Sequence, residues 1–302
     1  VRETYDGTTP IGTGSTYTAI SVDDIKNVKY PFPTIEEQHA IARFLDDRTQ
    51  KIDSLIEKKQ KLIELLKEER AAVINEAVTK GLDPGAPMRD SGVEWLGEIP
   101  GHWEIKRLKY VAEINRYTLN ENIDSNYEFQ YIDIGNVTIE GLTHPPQLME
   151  FKDAPSRARR IVKKGDTIVS TVRTYLKAIA YIEDKADNLI ASTGFAVLAS
   201  KGMLDTKYLY YLMINEKIID TISSLSTGVS YPAINSSELA NIIVWFPKEI
   251  KEQQEIVNFI ESETAKTHQV VSKMEQEIAL LQEYRTALIS EVVTGKIDVR
   301  GE

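Results

Sequence analysis

The chain has no cysteine, so disulfides and thiolate metal sites are excluded. Histidine is scarce: His39, His102, His144 and His268 are scattered, and none has a partner at metal-ligand spacing. A structural or solvent-facing role is expected for each. No apolar run approaches the roughly 18 residues that span a membrane, and no basic-then-apolar leader opens the sequence. A cytoplasmic protein with no membrane partner is the expectation. There is no Gly-x-x-x-x-Gly-Lys phosphate loop. Gly12-Thr13-Gly14 lacks the third glycine and the following helix of a dinucleotide site. The Asn-Pro-Pro-aromatic run with which adenine methyltransferases hold an extruded base is also missing. No catalytic constellation stands out, so a binding or positioning protein is expected, with no catalytic residue, metal or cofactor of its own. Positive charge is in deficit too, at a net −10. For nucleic-acid binding, however, distribution matters more than the total.

What the chain does have is one segment twice. Residues 36–79 align without a gap onto residues 251–294, with about seventeen of roughly forty-four positions identical, which is an internal repeat. Glu37-Gln38 matches Glu252-Gln253, Phe44 matches Phe259, and Leu65-Leu66 matches Leu280-Leu281. The likeness extends to a lead-in, where residues 13–20 (TGSTYTAI) resemble residues 227–234 (TGVSYPAI) and pair Tyr17 with Tyr231. Each copy predicts a long helix. The first has a Thr34 N-cap with Glu37 at the third helical position, a capping-box pattern, and a stop at Gly81 and Pro84. Its apolar seam is expected at Ile52, Leu55, Leu62, Leu66 and Val73, and that of the second helix at Met274, Ile278, Leu281 and Leu288. A continuous helix of this length measures roughly 65 Å and needs a partner for its seam. Each helix is the obvious partner of the other, antiparallel or with a break near the start.

Between the helices lies an insert of α+β character. Residues 127–136, 167–172, 178–182 and 195–199 predict strands, and residues 207–215 and 218–225 predict helices. The expected organisation is a domain remnant at 1–33, a long helix at 34–80, a linker at 81–89, a globular domain at 90–246, and the second helix with its tail at 247–302. The remnant is expected because residues 1–34 align with the close of the insert and the chain starts with Val. Trp95 and Trp103 are expected in the core or at its junction with the helices. Residues 152–177 hold eight Lys or Arg against two Asp. Arg157, Arg159, Arg160, Lys163, Lys164, Arg173 and Lys177 are candidate phosphate or guanine contacts, with Ser170, Thr171 and Tyr175 as neutral donors. On composition alone, a solvated loop with a polar strand fits that run as well as DNA contact does. Tyr231 fits a structural turn at least as well as a DNA face.

Residues 90–103 (DSGVEWLGEIPGHW), followed by Lys106-Arg107-Leu108, resemble the opening of a target recognition domain in specificity subunits of type I restriction-modification systems. The Lys164-Gly165-Asp166 strand entry, the Glu-Gln helix starts that follow Pro33 and Pro247, and the Gly-x-x-Tyr-x-Ala-Ile lead-in resemble the same family. The resemblance implies a mixed α/β recognition domain flanked by two long helices that form an antiparallel coiled coil. It implies a non-catalytic subunit that reads half of a split site in double-stranded DNA and holds modification and restriction subunits. S-adenosylmethionine is then expected on the modification subunit. Only one complete recognition domain is present, so two chains pairing head to tail, a homodimer of half-length chains, is a further expectation. A coiled-coil scaffold whose central domain binds protein rather than DNA is the alternative.

Overall fold

The computed structural model describes residues 32–300 apart from 121 and 184–187, together with residues 22 and 26. The first lead-in copy and nearly all of the expected remnant at 1–33 lie outside the described residues. In chain order the elements are α1 (Ile35–Lys80), β1 (Met88–Asp90), β2 (Glu98–Pro100), β3 (Trp103–Arg107), α2 (Leu108–Val111), β4 (Ala112–Ile114) and β5 (Glu128–Ile132). Next come β6 (Val137–Thr138), β7 (Gly141–Leu142), β8 (Gln147–Glu150), β9 (Ala158–Val162), β10 (Thr167–Ser170), β11 (Ile179–Tyr181), β12 (Leu189–Ser192) and β13 (Phe195–Ser200). The chain closes with α3 (Thr206–Met213), α4 (Glu216–Leu225), α5 (Ser236–Asn241), β14 (Ile243–Pro247) and α6 (Ile250–Val293). Two compact units result, residues 1–67 with 267–302 and residues 68–266.

The first unit is an antiparallel helix pair. At its start the capping box forms: Glu37 N–H donates to Thr34 Oγ1 at 3.3 Å, and Thr34 N–H donates to the Glu37 carboxylate at 3.0 Å. Antiparallel register is fixed by Ile63 packing with Val271 and Ile278, and by Ile52 packing with Leu288 and Val292. Leu66 and Met274 join the first cluster, and Leu281 joins the second. Cross-pairs flank the seam, with Lys59 to Glu277 at 2.5 Å and Arg285 to Asp53 at 2.8 Å. Three expected seam residues are placed elsewhere. Leu55 and Leu62 are exposed, because the seam runs one position later through Ile56 and Ile63, about 100° around the helix. Val73 lies in the second unit, half-buried beside Ile74, Ala77 and Val78 of that unit's core.

The second unit holds two four-stranded sheets, ordered β11-β10-β13-β4 and β8-β5-β12-β9, with the pairs β1-β2, β3-β14 and β6-β7. All pairings are antiparallel except β12 on β5. Every residue of β10 and β12 is buried, so both strands are covered on both faces. Tryptophans tie the ends of the long helices into this core. Trp245 Nε1 donates to the Val78 carbonyl at 2.7 Å, and Trp103 Nε1 donates to Glu252 at 2.9 Å. Trp95 is partly exposed and meets the Trp245 ring edge-on. Gln253, fully buried, donates to the Met203 and Pro247 carbonyls and accepts from Asp205 N–H at 2.7 Å. In the first repeat copy Gln38 donates in the same way to the Pro33 carbonyl at 2.9 Å. The repeated Pro…Glu-Gln sequence is thus a repeated helix-entry bond.

The four predicted strand spans each hold a strand, β5, β10, β11 and β13, the last running one residue further to Ser200. The other ten described strands were not predicted, among them β9, which contains Arg159 and Arg160, and its neighbour β12. The β9 sequence is too polar to signal a strand. It is held by β12 on one edge and, on the other, by hydrogen bonds from Leu119 N–H to Arg159 O and from Ile161 N–H to Tyr117 O.

Candidate nucleic-acid interface

Several strand ends of the second unit meet at one rim. Thr193, in the turn from β12 to β13, donates its N–H to the Arg157 carbonyl at 2.7 Å. The next residue, Gly194, accepts from Thr171 N–H at 2.8 Å and from Thr171 Oγ1 at 2.9 Å. Side-chain space is lacking at Gly194, where a Cβ would sit 2.8 Å from Ile134 Cδ1 and 3.0 Å from Val172 Cγ2. This turn places the start of β9 beside the segment that leaves β10, so Arg157 and Arg173, sixteen positions apart in sequence, share the rim.

Beyond β10 the backbone is strained. Arg173 (φ 53°, ψ 49°) and Lys177 (φ 50°, ψ 38°) bracket a 3-10 turn at Thr174–Leu176, both in the left-handed region. Such conformations persist in non-glycine residues only where the surroundings over-determine them. Here Thr174 Oγ1 donates to Ser226 Oγ at 2.9 Å and Ile234 N–H donates to Thr171 O at 2.9 Å. Thr227 and Ala233 exchange two bonds of 2.9 Å, closing the loop that carries Tyr231. The Arg173 guanidinium lies 4.8 Å from the centre of the Tyr231 ring, a cation–π contact. Tyr175, Leu176, Val229 and Tyr231 are all exposed large side chains on these two adjoining segments.

The remaining basic residues fall elsewhere. Lys163 and Lys164 follow the far end of β9, about 20 Å from Arg157 for six extended residues. Lys163 Nζ lies 4.3 Å from the Tyr117 ring, which also carries Arg116 at 4.6 Å. Arg159 stacks over Phe151 at 5.0 Å and donates to the Ala158 carbonyl. Arg160 is partly buried and donates to Thr118 Oγ1 at 3.4 Å, and burial lowers its pKa. The basic run is therefore divided by β9 rather than being one stripe. Ser170 and Thr171 do not belong to the surface: both are buried, and their hydroxyls are bonded to the Val172 and Gly194 carbonyls.

Lys152 is paired with Glu150 at 2.5 Å, whereas among the described residues no ion pair involves Arg157, Arg173 or Lys177. Shifted acidities lie both near the rim and away from it: burial raises Tyr131, although Ser192 and Arg157 oppose the shift. Burial raises Tyr208 and Tyr210, and pushes Tyr211 up to about 12, all on α3. Among the described residues no group of three or more His, Asp or Glu is disposed to hold a metal ion. Val229 is a rim residue that sequence reasoning did not raise, and Tyr231, weighed there as a turn or a DNA-face residue, stands at the rim. For Tyr231 the available signal was its place in the repeated lead-in.

Comparison with known proteins gives this geometry a family. The family model described as the type I restriction modification DNA specificity domain matches residues 8–65 and 100–279. The chain is similar to the type I restriction enzyme MjaVIII specificity subunit of Methanocaldococcus jannaschii, 25% identical over 91% of this chain and 63% of that protein. It is also similar to the EcoDI specificity subunit of Escherichia coli, 22% identical over 95% of this chain and 66% of that protein. The chain thus spans about two thirds of the length of these relatives. Its fold is that of a chain in a solved structure concerned with assembly and conformational transition of a type I restriction-modification system, with a TM-score of 0.64, 17% identity, and coverage of 94% of this chain and 66% of that one. The match runs through both repeat copies and the insert between them, and the chain belongs to the type I restriction modification DNA specificity domain family.

Proposed function

We propose that this chain is the non-catalytic DNA sequence-specificity subunit of a cytoplasmic type I restriction-modification complex. Its α+β domain reads one half of a split site in double-stranded DNA. The observation that carries this reading is the rim where, among the described residues, Arg157, Arg173 and Lys177 have no ion pair and stand beside exposed Tyr175 and Tyr231. In a chain of net charge −10, such a concentration is a local electrostatic footprint for phosphate and for the acceptor edge of guanine.

The helix pair serves as spacer and as docking surface for modification subunits, which carry S-adenosylmethionine and methylate adenine, and for restriction subunits. Supporting this, apolar side chains stay exposed outside the seam at equivalent repeat positions: Leu55 with Val270, and Leu65 with Leu280. Matched patches on the two copies suit two copies of one partner. Two such chains pairing head to tail supply both halves of the site.

Adenine-methylation sequencing of DNA from cells expressing this chain with its cognate modification subunit tests the reading. A split motif is expected, palindromic if two chains pair. Its loss is expected in the Arg157→Glu, Arg173→Glu double variant, with subunit assembly intact. An assembled complex that methylates the same motif after both reversals removes the rim from the DNA face.

A further inference from the structure

Resting on that reading, we infer that Tyr231 is the positioning residue for Arg173, holding its guanidinium ready for the O6 and N7 acceptors of a guanine in the major groove. Neither residue's placement looks like an element of the core. Arg173 is exposed and Tyr231 is 63% exposed, so their 4.8 Å stack buries little and contributes little to folding. Yet both backbones are closely constrained. Arg173 is held left-handed ahead of the bonded Thr174 turn. The Tyr231 loop is closed by the Thr227–Ala233 pair and by Gly228 at φ 113°, where a Cβ would lie 3.0 Å from the Tyr231 carbonyl oxygen. A rigid frame under an exposed cation–π pair is what pre-ordering requires. Arginine loses rotamer freedom when it forks onto a base, and a ring that already fixes the guanidinium plane removes part of that loss.

The repeat supports a division of roles. Tyr231 lies in the lead-in sequence present twice in the chain, with Tyr17 at the matching position, whereas Arg173 lies in the unrepeated part of the insert. A residue repeated in both copies of the sequence carries no information about the bases read. The cation it presents does.

Selection from a pool of randomised duplexes, using the full chain assembled with its modification subunit, tests this with wild type, R173A, Y231A, Y231F and the R173A/Y231A pair. Wild type is expected to enrich a motif containing a G·C pair whose preference falls about 10- to 100-fold in R173A. Y231A is expected to relax the same pair about three- to fivefold, with Y231F retaining the preference because the ring remains. Affinity for unrelated duplex is expected to stay within about twofold in Y231A, since no phosphate charge is lost. The double variant is expected to be no worse at that pair than R173A. If R173A loses the preference while Y231A keeps it, or if Y231A relaxes every position alike, Tyr231 does not position Arg173 and the inference falls while the DNA reading stands. If wild type enriches no motif, the DNA reading falls and takes the inference with it. An unchanged thermal midpoint separates Y231A from a folding defect, and Y231F provides the folded control.

Discussion

Arg157 and Arg160 lie three residues apart, yet a charge reversal means different things at each. Arg157 is exposed at the rim, while the Arg160 guanidinium is partly buried against Thr118, with a buried Nε that has no partner among the described residues. Arg157→Glu is expected to weaken duplex binding and to reduce the slope of log K against log salt by about 1, with an unchanged melting temperature. Arg160→Glu is expected to lower the melting temperature, because a partly desolvated carboxylate replaces a bonded cation. Salt titrations and thermal melts of the two variants check both outcomes. Asp166 offers a pH test. It is buried, and desolvation raises its pKa although the Lys163 backbone N–H donates to it at 2.8 Å. Its folded pKa lies above the unfolded one, so its contribution favours folding at acid pH and is lost as pH rises through the folded value. Asp166→Asn keeps an acceptor for Lys163 N–H and removes the charge. It is expected to raise the melting temperature at pH 7 and to lose that advantage as pH falls through the range just above ordinary aspartate.

At the scale of elements, the helix pair shows how one position of phase decides burial. Ile63 is 8% exposed and Leu62 is 42% exposed, although both are large and aliphatic. Ile63→Ala is expected to destabilise the helix pair by about 2–4 kcal/mol, and Leu62→Ala by no more than about 0.5 kcal/mol. Denaturant unfolding followed by circular dichroism checks the difference. The phase was available in the repeat itself: Ile63 aligns with Ile278, whereas Leu62 aligns with Glu277, a residue that stays in solvent. Periodicity within one helix admitted either leucines or isoleucines, and comparison of the two copies separates them. The strand β9 was not legible in this way. Its two arginines mask the apolar Ala158, Ile161 and Val162, and its pairing depends on Tyr117–Leu119, some forty residues upstream.

For the whole molecule, charge and repetition are the relevant quantities. An acidic chain with a small cationic rim is expected to bind unrelated duplex weakly and with a shallow salt dependence, because few phosphates are neutralised. The exposed Leu65 and Leu280, matched across the repeat, predict that Leu65→Asp and Leu280→Asp weaken assembly with modification subunits without lowering the melting temperature. Sedimentation of the mixed subunits checks this, and two equal losses are expected. Head-to-tail pairing of two chains predicts a dimer mass at micromolar concentration and a palindromic motif. A monomer mass together with an asymmetric motif would exclude that pairing.

Repetition, capping and hydrophobic phase are local or pairwise properties of the chain. For that reason the two helices, the capping box, the repeated Glu-Gln entry and the α+β character of the insert were determined by sequence. Which cations stand together was not. Arg157 and Arg173 share a rim because the turn at Thr193-Gly194 bonds to both segments, and Lys163 departs because β9 is extended rather than a loop. Ser170 and Thr171 turn inward because their hydroxyls find carbonyls that only the folded sheet supplies. The Arg173–Tyr231 stack joins residues fifty-eight positions apart, through hydrogen bonds that no window of sequence contains.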